Sequence, residues 1–143
     1  MKGTYYILLA LIISCSFPKD TKNSFSNARE SGLLVGVVNN PPYTTYANSA
    51  TGGTEVTIIQ EFADKEGLPV HYTRGTESLL VKKLENHELH LVIGGFDKNT
   101  VWKDKAGIST TYNDKNVILV APGENQLLYR LEAVLLKHKQ NGN

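Results

Sequence analysis

The sequence predicts an α/β domain in three layers, a mostly parallel sheet flanked by helices. Three observations carry this. From residue 33 onward, short apolar runs alternate with amphipathic segments, the order that generates right-handed βαβ units. The apolar runs are four to six residues long, a strand's length and not a helix's. Hydrophobic residues make up 41% of the 143-residue chain and charged residues 20%, enough apolar surface for one folded domain.

Leu33 to Val38 is the first strand, a continuous Leu/Val run around a small Gly36, as suits a strand covered on both faces. Glu55 to Glu66 follows as a helix, with Val56, Ile59, Phe62 and Ala63 at helical spacing, Thr54 placed to cap it and Gly67 to end it. Val70 to Thr73 is the second strand. Glu77 to Glu88 is the second helix, turning Leu80, Val81 and Leu84 inward, and Leu89 to Ile93 is the third strand. Lys115 to Val120 adds one more strand. Glu124 to Lys139 closes the domain with a helix whose Leu127, Leu131, Val134 and Leu135 form one stripe. No internal repeat is present.

Ahead of the domain, Lys2 precedes an unbroken apolar run from Tyr5 to Ile13. Nine residues fall well short of the roughly 20 that cross a bilayer as a helix, so the run reads as the apolar region of a secretory signal. Residues 16 to 32 are rich in Ser, Asn, Lys, Asp, Pro and Gly, with Phe17 and Phe25 as their large apolar residues. They read as a flexible tether. The resulting division is a signal peptide over 1–14, a tether over 15–32, the α/β domain over 33–139 and a disordered tail over 140–143.

Composition narrows the function classes. Fifteen Lys and Arg against 14 Asp and Glu give a formal charge of +1, and loss of Lys2 with the signal leaves 14 against 14. No field concentrates nucleic acid. The lone Cys15 pairs with no other cysteine, and the four histidines show no metal spacing beyond a loose His87-x-x-His90 that straddles a helix end and a strand. No phosphate loop follows Gly52-Gly53, and no nucleophile elbow is present. The reading is therefore non-enzymatic, with no cofactor.

A parallel sheet gathers ligand contacts at the carboxyl ends of its strands, which directs attention to two loops. After the first strand comes Asn39-Asn40-Pro41-Pro42-Tyr43, whose prolines present Tyr43 with little freedom. After the third comes Gly94-Gly95-Phe96-Asp97-Lys98-Asn99-Thr100-Val101-Trp102, with paired glycines for close approach and the chain's one Trp. Tyr43, Gly95, Phe96, Asn99, Thr100 and Trp102 are the candidate ligand-binding residues. Tyr43 and Trp102 would wall a shallow pocket, while Asn99 and Thr100 would exchange hydrogen bonds with a small polar solute. The plainer reading is a Pro-stiffened loop and a Gly turn whose aromatics cover the sheet edge.

Two resemblances sharpen this. Ile12-Ile13-Ser14-Cys15 resembles the bacterial lipobox, which implies lipidation at Cys15, a stable membrane anchor, and, with Ser16 next, an outer-membrane preference. The tether's length would then let the domain sit clear of the membrane. The domain resembles the extracellular solute-binding proteins of polar amino-acid uptake. The likeness is carried by the Asn-Pro-Pro-Tyr turn, Gly53-Thr54-Glu55-Val56, the segment Leu84 to Gly95 and Gly107 to Tyr112, in order over residues 33 to 123. It implies one lobe of a type II periplasmic-binding-protein fold and a periplasmic solute-binding role in transport or sensing.

Two departures stand beside the match. The family's Thr-x-x-Arg, which grips a ligand carboxylate with a planar fork, has Thr100, Trp102 and Lys103 as its nearest counterparts here. Asp97 offers itself to a ligand amine or to amides of its own loop. The second lobe that relatives insert after this point is absent, since Asn113 to Val120 leads straight to the final helix. A transporter, a receptor or a second copy would then supply the missing wall. The competing reading is a non-catalytic protein-interaction module using the same surface.

Overall fold

A computed structural model describes residues 17–141. Five strands form the main sheet in the order β4-β1-β5-β7-β6. Its parallel part is β4 (Val70–Arg74), β1 (Leu33–Val37) and β5 (Leu91–Asp97). β7 (Asn116–Val120) runs antiparallel to β5, and the two-residue β6 (Gly107–Ile108) antiparallel to β7. The sheet is thus mixed but mostly parallel, as expected.

Alternation along the strands sorts the core into two layers. Leu33, Val35, Val37, Leu91, Ile93, Ile118 and Val120 face α1 (Ser24–Ser31), α2 (Thr54–Glu66) and α4 (Asn125–Asn141). Val92, Phe96, Val117 and Leu119 face α3 (Glu77–Glu85), through Leu80, Val81 and Leu84. Gly36 lies under this layer, where a Cβ would come 2.9 Å from the Leu89 side chain and 3.3 Å from Leu80 of α3.

The expected tether is the main correction. Its second half is helix α1, with Phe25 at 4% exposure and Ala28 fully buried against β1 and α4. Two buried carboxylates fasten it across 100 residues of chain. Asp20 accepts from the backbone of Phe25 (2.8 Å), Gln126 (2.6 Å) and Leu127 (3.0 Å), while Glu124 accepts from Lys22 (2.7 Å) and Ser24 (2.8 Å). Each acid caps the other's helix.

Other boundaries move for local reasons. α2 starts at Thr54, but its cap position is Gly53 at φ 111°, where a Cβ would collide with the Tyr43 backbone. α3 stops at Glu85 because the chain turns through His87 at φ 59°. β5 starts later and runs through the paired glycines that were expected as loop. α4 extends to Asn141, two residues into the expected tail. A short hairpin, β2 (Thr45–Ala47) and β3 (Ala50–Gly52), and a 3-10 turn over Val101–Asp104 were not foreseen. Cys15 and the apolar run Tyr5–Ile13 lie outside the described residues.

Candidate functional site

The site is built on an irregularity in β5. Its pairing with β7 slips between Val92 and Phe96, so Ile93 to Gly95 bulge out of the ladder. Gly95 takes φ 67°, a conformation that costs a side chain. The two amides freed by the bulge, Gly94 and Gly95, both donate to Oε2 of Glu55, at 2.7 and 3.0 Å. The first turn of α2 presents this carboxylate, which is fully buried. Its other oxygen accepts from the Tyr112 hydroxyl at 2.6 Å. Burial raises the pKa of Glu55 despite these three donors. It raises that of Tyr112 too, with the neighbouring Glu55 carboxylate adding to the effect.

On the other side, Asn40 Nδ2 donates to Gly94 O (2.8 Å), and buried Asn116 donates to Gly95 O (3.0 Å). The turn carrying Asn40 is closed by Tyr43 N–H to Asn40 O (3.0 Å) and by the Thr44 hydroxyl to Val38 O. α2 holds it from below, with Glu55 N–H donating to Tyr43 O (2.9 Å). Tyr43 therefore lies, half-buried, directly on Gly95, where a Cβ would fall on the Tyr43 ring and 2.8 Å from Asn40 Nδ2. Of the predicted residues, these two are brought together.

The remaining four divide. Phe96 is 6% exposed and packs beneath α3, so it supports the site from the core instead of lining it. Asn99 is exposed, and its backbone N–H donates to Asp97 Oδ1 (2.8 Å), the loop-internal alternative expected for Asp97. The Thr100 hydroxyl accepts from Trp102 N–H at the start of the 3-10 turn. Trp102 leans on the α3 layer, and its Nε1 donates to Glu77 at the first turn of α3. Beside it a cavity of about 310 Å³ is lined by Ser78, Val81, Lys82, Glu85 and Lys105.

The reading of the residues missed Arg74. It ends β4, next to β1, with its guanidinium 5.0 Å from the Tyr46 ring centroid. It donates to Asn48 O (3.0 Å) and Thr51 Oγ1 (3.1 Å) of the hairpin, two of its five N–H donors. Its place follows from the pairing of β4 with β1, which no local sequence signal marks, whereas the arginine of the resembled motif would follow β5. His87 and His90 are structural. His87 contacts Pro122 O (3.0 Å), and buried His90 accepts from Leu34 N–H through Nδ1 (3.0 Å), its pKa lowered by burial. Among the described residues no cluster of His, Cys, Asp and Glu is arranged to hold a metal.

Comparison with known proteins fits this geometry. A model of the bacterial extracellular solute-binding proteins, family 3, matches residues 33–142. The arginine-bound form of domain 1 from TmArgBP superposes with a TM-score of 0.69 at 23% identity, covering 79% of this chain and 95% of that one. A mutant of ArgBP from T. maritima gives 0.70 at 14% identity, over 85% and 93%. An ancestral cyclohexadienyl dehydratase gives 0.53 at 19% identity over 62% of this chain and 36% of that one, a likeness of fold. No curated protein matches.

Proposed function

Because the chain belongs to the bacterial extracellular solute-binding proteins, family 3, we propose that it binds a small polar solute of the amino-acid class on a single lobe. The family places it outside the cytoplasmic membrane and among binding proteins. The ligand rests on the carboxyl edge of the sheet, with Tyr43 as one wall and Trp102 as the other. Asn99 and Thr100 supply hydrogen bonds, and Arg74 supplies a cation for a carboxylate. Cys15 carries the lipid anchor, in the outer membrane, and a transporter or receptor completes the site.

The observation that carries this reading is the Glu55-held bulge. A buried carboxylate spent on two strand amides is costly unless the backbone shape it fixes is needed, and that shape seats Tyr43. The lone arginine-bound domain of TmArgBP supports binding without a second lobe.

Trp102 is the one tryptophan of the chain. Fluorescence of the full chain is expected to shift on titration with amino acids or amines at millimolar concentration, and Arg74→Ala to weaken carboxylate ligands about tenfold. No shift with any solute, followed by a shift on adding a protein partner, would replace this reading with the interaction module.

A further inference from the structure

The correction of the tether changes how an anchored lobe must sit. Cys15 precedes Phe17 by two residues, a reach of about 7 Å at full extension. Phe17 leads at once into Asp20, which the caps on α4 hold in place. The acyl chains on Cys15, proposed above, leave no room for the domain to stand off. What lies at that point is a groove of about 350 Å³ between the end of α2 and the start of α4, lined by Phe17, Pro18, Tyr129 and Lys65 and by Arg130, which pairs with Glu66 of the same groove at 3.0 Å. Phe17 is 73% exposed and Tyr129 59%. Exposed aromatic rings beside Lys65 suit the headgroup boundary of a bilayer.

We propose that this groove is a bilayer-facing surface, so that the lobe lies directly on the membrane with its ligand edge turned away. The topology fixes the second half. α2 descends from the carboxyl end of β1 and finishes at Glu66, while β7 ends opposite the start of β5 and delivers α4 to that same amino edge. Tyr43, Arg74 and Trp102 lie at the opposite, carboxyl edge. Any partner completing the site then approaches from the aqueous side. The proposal rests on the lipid-anchor reading of Cys15, and its test separates the two.

The full chain, produced in a bacterial host and purified in detergent with its own N-terminus, is weighed by mass spectrometry. It is then reconstituted into phosphatidylethanolamine–phosphatidylglycerol vesicles with brominated acyl chains, which quench indoles near the boundary. Native Trp102 is expected to keep its fluorescence, and the indole introduced by Tyr129→Trp in a Trp102→Phe background to lose several-fold more. An acylated chain whose two indoles are quenched alike, or Trp102 more, overturns the seating and leaves the anchor standing. A chain without acyl mass overturns both.

Discussion

Glu55 shows how much one residue settles. Ionised, it satisfies two amides and a hydroxyl at a fully buried position; protonated, it escapes the cost of burying a charge. Burial dominates, so the folded protein holds this proton more tightly than the unfolded chain. The contribution to stability is present at low pH and is lost as pH rises from the ordinary 4.5 through the raised folded value. Glu55→Gln, whose amide can still accept from the glycines and donate to Tyr112, is expected to fold and to flatten that slope in denaturant titrations over the window. Glu55→Ala strands two buried amides and is expected to cost about 3 kcal/mol. Gly95→Ala forces a side chain into the left-handed region against Tyr43, with an expected loss of roughly 2 kcal/mol and at least tenfold in affinity by calorimetric titration. The sequence marked Gly95 and Tyr43 as ligand residues, but not that Gly95 serves by letting Tyr43 lie on it. Glu55 was visible only as a letter in a motif, because the strand slip that creates its partners is a property of the pairing with β7.

At the scale of elements, the strands and helices that bury a regular stripe were legible. α2 and α4 show their period, and β1 and β7 their unbroken apolar runs. α1 was not, because Ser24–Ser31 has Phe25 and Ala28 as its buried apolar residues in an otherwise polar stretch, and its first amides are held by Asp20, five residues ahead, and by Glu124, 100 residues further along the chain. The hairpin β2–β3 was hidden likewise, its register set by Arg74 and the α2 packing. The consequence is measurable. Removing residues 17–26 exposes the pocket of Phe25, worth about 2 kcal/mol, and leaves Glu124, 2% exposed, without its amide donors. A chain starting at residue 27 is expected to unfold at least about 3 kcal/mol more easily than one starting at 17, by urea denaturation. Asp20→Ala alone is expected to cost about 1 kcal/mol through the lost caps.

For the whole molecule, the connection from Tyr112 to β7 spans three residues, Asn113 to Lys115, at the place where the resemblance implied an inserted second lobe. The central proposal is that the sheet's carboxyl edge of this one lobe binds a small polar solute before any partner covers it. That claim is tested most directly by thermal unfolding of the full chain against amino acids, amines, small peptides and sugars, with Tyr43→Ala alongside. A ligand at about 100 times its dissociation constant adds roughly 2.7 kcal/mol, a rise of several degrees for a domain of this size. Such a rise is expected for one chemical class, and is expected to disappear in a folded Tyr43→Ala chain. A flat panel from the folded protein, or a rise that survives Tyr43→Ala, would contradict it.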